Sequence, residues 1–155
     1  MRTIDSIIIH CSATRSGAVD FTAADIDQWH RRRGFKEIGY HCVIRLDGTI
    51  EKGRSIEKEG AHCYGWNRQS IGICYVGGLN TNGQPTDTRT PTQKQAMKQL
   101  ITELQQQYPA IRYVIGHRDT SPDLNGNGHI EPEEYIKACP CFDVRKWLKE
   151  TEVMV

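Results

Sequence analysis

The sequence predicts one α/β domain, a single mixed central β-sheet with helices packed on its faces. Three observations carry this. Short β-branched apolar runs recur at Ile7-Ile8-Ile9, Val43-Ile44 and Ile71 to Val76, each long enough for a strand and too short for a helix. Between and after them lie two stretches with helical apolar spacing, 22–33 and 92–107. The pair Asp47-Gly48 sits between strand-like residues, a strong short-range hairpin signal. Strands interleaved with helices favour a sheet covered on its faces, and in such sheets ligands gather at strand ends along one edge.

The elements follow in order. Residues 6–10 read as a strand. Thr22 to Arg33 reads as a helix: Thr22 with Asp25 three residues on is a capping-box start, Ile26, Trp29 and His30 share one face, and Gly34 closes it. Residues 40–46 and 49–52 flank the Asp47-Gly48 turn, and Ser70 to Val76 is a further strand ended by Gly77-Gly78. Residues 79–90 read as a polar loop. Thr92 to Gln107 is a second helix with Met97, Leu100, Ile101 and Leu104 as its apolar stripe. Arg112 to Ile115 is a short strand, and Phe142 to Lys149 a third helix.

The 155 residues fit a single domain, 1–155, without repeats or linkers. With 20 basic and 19 acidic residues the formal charge is +1, which argues against nucleic acid as a partner. No apolar run has the length that crosses a bilayer, so no membrane partner is expected, and a monomer is. The N-terminus, Met1-Arg2-Thr3-Ile4-Asp5, lacks an export-signal apolar stretch, so cytoplasmic synthesis is expected. A chain of this size folds without disulfides. Cys42 and Cys74, inside strand-like runs, read as buried free thiols.

Chemistry concentrates in three places. Ile7-Ile8-Ile9 delivers His10 at a strand end, a rigid mount for a ligand. Gly116-His117-Arg118-Asp119 supplies a second histidine, and Lys137-Ala138-Cys139-Pro140 a cysteine. Two histidines and a cysteine make an open zinc site, in which three protein ligands leave the fourth position to water. Taken one at a time, a histidine after a strand is more often a packed or surface residue, and Cys141 competes locally with Cys139. His30 and His41 read as structural, and Trp29 as core.

The residues also resemble a known family. His10-Cys11-Ser12-Ala13-Thr14, Gln28-Trp29-His30, Gly39-Tyr40-His41, Asp47-Gly48-Thr49, Gly60-Ala61-His62, Asn67 with Ser70-Ile71-Gly72, Val76-Gly77-Gly78, His117, and Lys137-Ala138-Cys139-Pro140 before Phe142-Asp143 run in one order across nearly the whole chain. In that order they resemble the zinc-dependent N-acetylmuramoyl-L-alanine amidases of the bacteriophage-lysozyme type, within the wider amidase and peptidoglycan-recognition-protein fold. The resemblance implies Zn2+ held by His10, His117 and Cys139, the cysteine directly before the proline being the ligand. It implies catalytic assistance from Tyr40 and Lys137, and a place for His62 near the substrate groove. Asn67 and Trp66, in the loop Cys63-Tyr64-Gly65-Trp66-Asn67, are further candidates for substrate binding, with a packed Trp66 as the alternative.

The implied substrate is peptidoglycan, cut between the lactyl group of muramic acid and L-alanine. The expected setting is a phage or prophage endolysin acting on the cell wall after release. The alternatives are a peptidoglycan-binding module without activity, and an antibacterial amidase toxin exported by a non-classical route.

The chain departs from compact members of that family at 122–136. Asp123, Asn125 and Asn127 fall at positions one, three and five of an EF-hand-like calcium loop. Gly128 falls at six, the backbone of His129 at seven, Ile130 at eight and Glu134 at twelve. Ca2+ is therefore a second candidate cation. The alternative is a solvated acidic loop held by its own asparagine turns.

Overall fold

The computed structural model describes residues 2–17, 19–121 and 138–152. The candidate calcium residues Asp123, Asn125, Asn127, His129 and Glu134, and the candidate catalytic Lys137, lie outside the described residues.

Among the described residues, five strands form one mixed sheet in the order β4-β3-β5-β1-β7. They are β1 (Ser6–Cys11), β3 (Cys42–Ile44), β4 (Ile50–Lys52), β5 (Ser70–Tyr75) and β7 (Tyr113–Gly116). Only the β3–β4 hairpin is antiparallel; β1 runs parallel to both β5 and β7, and β3 parallel to β5. The hairpin closes where the sequence places it: Gly48 has φ +89°, and the Asp47 carboxylate accepts the Thr49 N–H at 2.9 Å, an Asx turn. A separate pair, β2 (Thr14–Arg15) with β6 (Gly78–Leu79), joins the loops that leave β1 and β5. Two-residue strands have no periodicity to read, and β6 lies where the sequence suggests turn and loop.

The alternation of side chains along the central strands sorts the core onto two faces. Ile7 and Ile9 of β1 join Ile71, Ile73 and Tyr75 of β5 and the stripe Met97, Leu100, Ile101 and Leu104 of α2 (Pro91–Gln107). Val144 of α3 (Val144–Glu152) packs there as well. On the opposite face Val43, Cys74 and Val76 meet Ala23 and Ile26 of α1 (Ala23–Arg32), and Ile8 meets Cys63 and Ile115. Helices thus cover both faces, and His10, two residues after Ile8, belongs to the α1 side.

Helix α1 begins as expected: the Thr22 hydroxyl accepts the Asp25 N–H at 3.2 Å and the Asp25 carboxylate accepts the Thr22 N–H at 2.9 Å. Helix α2 starts earlier than Thr92. Thr90 is the cap, with Pro91 in the first helical position, and Gln93 returns the second capping bond to Thr90 N–H at 2.9 Å. Helix α3 starts later than Phe142, because Phe142 turns into the core and the Asp143 carboxylate accepts the Lys146 N–H at 3.1 Å. Cys42 and Cys74 are buried free thiols.

Candidate metal centre and cleft

The sheet order explains why residues 10 and 117 meet. Ile9 pairs with Gly116 across β1 and β7, so two adjacent parallel strands end side by side. His10 is the last residue but one of β1, and His117 opens the single-turn helix His117–Thr120 that follows β7. The Asp119 carboxylate sets that turn by accepting the Gly116 N–H at 2.8 Å. The two imidazole rings lie 4.6 Å apart between centroids. Cys139 is tied to both strand ends: its carbonyl accepts the Arg118 N–H at 2.8 Å, and its Sγ accepts the Cys11 N–H at 3.2 Å. Gly116 leaves room for this, since a Cβ there would fall 2.7 Å from Cδ of Pro140.

One donor atom from each of His10, His117 and Cys139 lies within 4.8 Å of the others. His10 Nδ1 faces Cys139 Sγ at 3.9 Å. Two imidazoles and a thiolate at this spacing match the donor types and reach of a tetrahedral zinc site with one open position. Cys141, two residues on, instead points its Sγ to within 3.9 Å of Cys11 Sγ. The contact with Cys139 pushes the Cys11 thiol up to about 12, and the contact with Cys11 raises the Cys141 thiol as well. Both therefore stay protonated beside the donor set.

Beside the donors opens a cleft of about 450 Å3, lined by His117 and Cys139 together with Tyr40, His62, Tyr64 and Arg33. Buried His10 sits beneath it. The Tyr40 ring lies 5.0 Å from His10 and 5.3 Å from His30 between centroids. Burial, reinforced by the nearby thiols of Cys74, Cys139 and Cys11, pushes the Tyr40 phenol well above its ordinary range, so it remains an O–H donor. His30 Nδ1 accepts the Gly39 N–H at 2.8 Å and thereby fixes the backbone that presents Tyr40.

His62 Nδ1 lies 2.8 Å from His10 Nε2. Burial holds the His62 imidazole down to about 3, with His41, His117, Arg2 and Arg54 opposing added positive charge. His41 is deeper still: its Nδ1 accepts the Gly72 N–H at 3.0 Å and its Nε2–H donates to the Lys58 carbonyl at 2.9 Å. Burial, followed by the Arg2 and Arg54 cations, holds it to about 4 against the opposing pull of Lys58 O and Glu37.

A family model described as N-acetylmuramoyl-L-alanine amidase matches residues 1–134. The chain belongs to this amidase family. The amidase is 38% identical over 148 residues to an endolysin of Klebsiella phage KP32, covering 96% of this chain and 87% of that one. Its fold is similar to the solved N-acetylmuramoyl-L-alanine amidase LysC from Clostridium intestinale, with a TM-score of 0.74, 25% identity, and coverage of 99% of this chain and 87% of that one. It is also similar to a Drosophila PGRP-LB variant in complex with tracheal cytotoxin, with a TM-score of 0.65, 26% identity, and coverage of 90% and 76%.

Within the amidase, five sequence-named residues converge: His10, His117, Cys139, Tyr40 and His62. Asn67 also lines the cleft, and its side-chain oxygen accepts the N–H groups of His62 and Cys63 at 2.9 and 3.0 Å, stapling their loop. Trp66 is turned away and packs against Ile8, Cys63 and Ile115. The aromatic ring on the cleft rim is Tyr64, fully exposed. Tyr64, Arg33 and Phe35 also line the cleft and carry little signal in the sequence. The one available signal was the position of Arg33 and Phe35 around Gly34, where α1 ends beside Tyr40.

Proposed function

We propose that the amidase is a zinc hydrolase of peptidoglycan that cuts the amide between the muramic acid lactyl group and L-alanine. Its setting in this reading is endolysin-like, lysing the cell wall after release. The observation that carries the reading is the convergence of His10, His117 and Cys139 at one end of an open cleft. A non-catalytic binding module has no need of a complete ligand set, which favours the enzyme.

His10, His117 and Cys139 hold the zinc. When bound, zinc acidifies a water toward neutrality and polarises the scissile carbonyl. Tyr40, kept protonated by burial, donates a hydrogen bond to the carbonyl oxygen as that oxygen gains negative charge, which lowers the barrier. Lys137, two residues before Cys139, is proposed as a cation for the same oxygen. Tyr64 and Arg33 on the walls offer an aromatic face and a positive charge to the glycan or its peptide stem. The pattern at 123–134 adds a proposed calcium loop just ahead of Lys137, in which Ca2+ stiffens the segment.

The test is product analysis of purified peptidoglycan. New alanine amino termini without new reducing sugars are expected, abolished by chelation and restored by zinc. Intact peptidoglycan retained by zinc-loaded protein would favour the binding module.

A further inference from the structure

We propose that His62 is a positioning residue that selects the metal-binding tautomer of His10 by accepting a hydrogen bond from His10 Nε2–H. The proposal rests on the zinc reading above. His10 turns Nδ1 toward Cys139 Sγ, at 3.9 Å. A nitrogen that ligates a metal carries a lone pair and no proton, so a neutral His10 ligating through Nδ1 holds its proton on Nε2. That nitrogen meets His62 Nδ1 at 2.8 Å. Only one of the two can be the donor, and the metal-competent arrangement makes it His10. His62 then carries its own proton on Nε2, which lies 3.3 Å from the hydroxyl of buried Ser70. The chain His10–His62–Ser70 thus runs in one sense. In the reverse sense His62 Nδ1–H would donate to His10 Nε2 and place the His10 proton on the nitrogen that faces Cys139.

The surroundings of His62 are shaped for this orientation. Gly72 sits inside strand β5, where glycine weakens the strand unless something must approach closely. A Cβ at Gly72 would fall 2.6, 2.7 and 2.8 Å from Cδ2, Cγ and Nε2 of His62. A Cβ at Gly60 would fall 2.6 Å from His62 Cδ2. Two glycines therefore form a slot for the imidazole, and Asn67 fixes the backbone beneath it through the His62 and Cys63 N–H groups. Histidine ligands generally depend on such an outer partner for orientation and basicity, and its loss typically weakens metal binding tenfold to a hundredfold.

The experiment compares zinc affinity, by competition with a chromophoric chelator, in the full chain and in the variants His62→Asn and His62→Leu. Asparagine can present its side-chain oxygen near the position of Nδ1; leucine offers no acceptor. His62→Leu should bind zinc about tenfold to a hundredfold more weakly, and His62→Asn should recover most of the loss. Equal affinity in all three proteins, or equal weakness in both variants, overturns the proposal. A second measurement needs no variant: the 15N spectrum of the zinc-loaded wild type should show His10 and His62 each protonated at Nε2 alone. A proton on His62 Nδ1 overturns the proposal. Wild-type protein that takes up no zinc would instead bring down the metal reading itself.

Discussion

Acidification should unfold the protein through His41, and the cost can be worked from its surroundings. His41 is 1% exposed. Its Nδ1 accepts a backbone N–H from Gly72, so a proton there removes that bond and buries a charge facing Arg2 and Arg54. The folded state holds the imidazole at about 4, against an ordinary 6.5. The unfolded chain therefore binds more protons than the folded one between these values, and stability rises with pH across that window. The contribution is fully present above pH 6.5 and is lost as pH falls toward 4. At about 1.36 kcal/mol per unit the loss by pH 4 is about 3 kcal/mol, a large share of the stability of an ordinary domain. The assay is urea unfolding from pH 7.5 to pH 4, for wild type and His41→Asn. Asparagine keeps an acceptor for Gly72 N–H and does not titrate, and groups common to both proteins, zinc release included, cancel in the difference. The wild type should lose about 3 kcal/mol more than the variant over this range. Parallel pH profiles for the two proteins would refute the reasoning.

Cys139→Ser should lose zinc and activity together, while Cys141→Ser keeps both; metal content and dye release from labelled cell wall report each, and a reversed pattern would move the ligand. Tyr40→Phe should lower kcat by about 10²–10³-fold, the usual effect of removing one donor to a developing oxyanion, with zinc content unchanged; an unaltered kcat would remove Tyr40 from the reaction. Gly72→Ala should cost about 1–3 kcal/mol by overpacking, because its methyl would sit 2.6 Å from the His62 ring; a melting temperature equal to wild type would show that the ring yields freely. Calcium should raise the melting temperature of the intact chain if 123–134 binds it, and superimposable curves with calcium and with a calcium chelator would leave a plain polar loop.

Local signals were legible wherever one short stretch specified one structure. Ile7-Ile8-Ile9 could only be a buried strand, Thr22 with Asp25 could only help by capping, and Asp47-Gly48 set the hairpin. The start of α2 was ambiguous because Thr90 and Thr92 are both capping residues, and the choice depends on Gln93 folding back to Thr90. Trp66 and Tyr64 are two residues apart in a loop without periodicity, so which one faces the cleft was decided by packing against Ile8 and Ile115. The slot for His62 had one visible trace, a glycine at 72 inside an otherwise apolar strand, but a lone glycine does not say what approaches it. The donor trio was legible by resemblance; the adjacency of β1 and β7 is the tertiary fact that brings its histidines together.

The placement of β1 in the sheet also governs when the molecule can become an enzyme. Its neighbours are β5 and β7, so Ser6 pairs with Ser70 on one side and with Tyr113 on the other. Pairings this distant in sequence close late, since long loops must be ordered before the contacts reward it, and folds that rely on them assemble slowly. During synthesis the first histidine leaves the ribosome well before the cysteine, which follows 129 residues later. A chain that stops before residue 139 carries His10 and at most His117 of the donor set, and lacks the cysteine that completes it. In the proposed reading, a fragment that stops short of Cys139 is not a competent hydrolase, and a molecule becomes dangerous to the wall only once all three donors are in place.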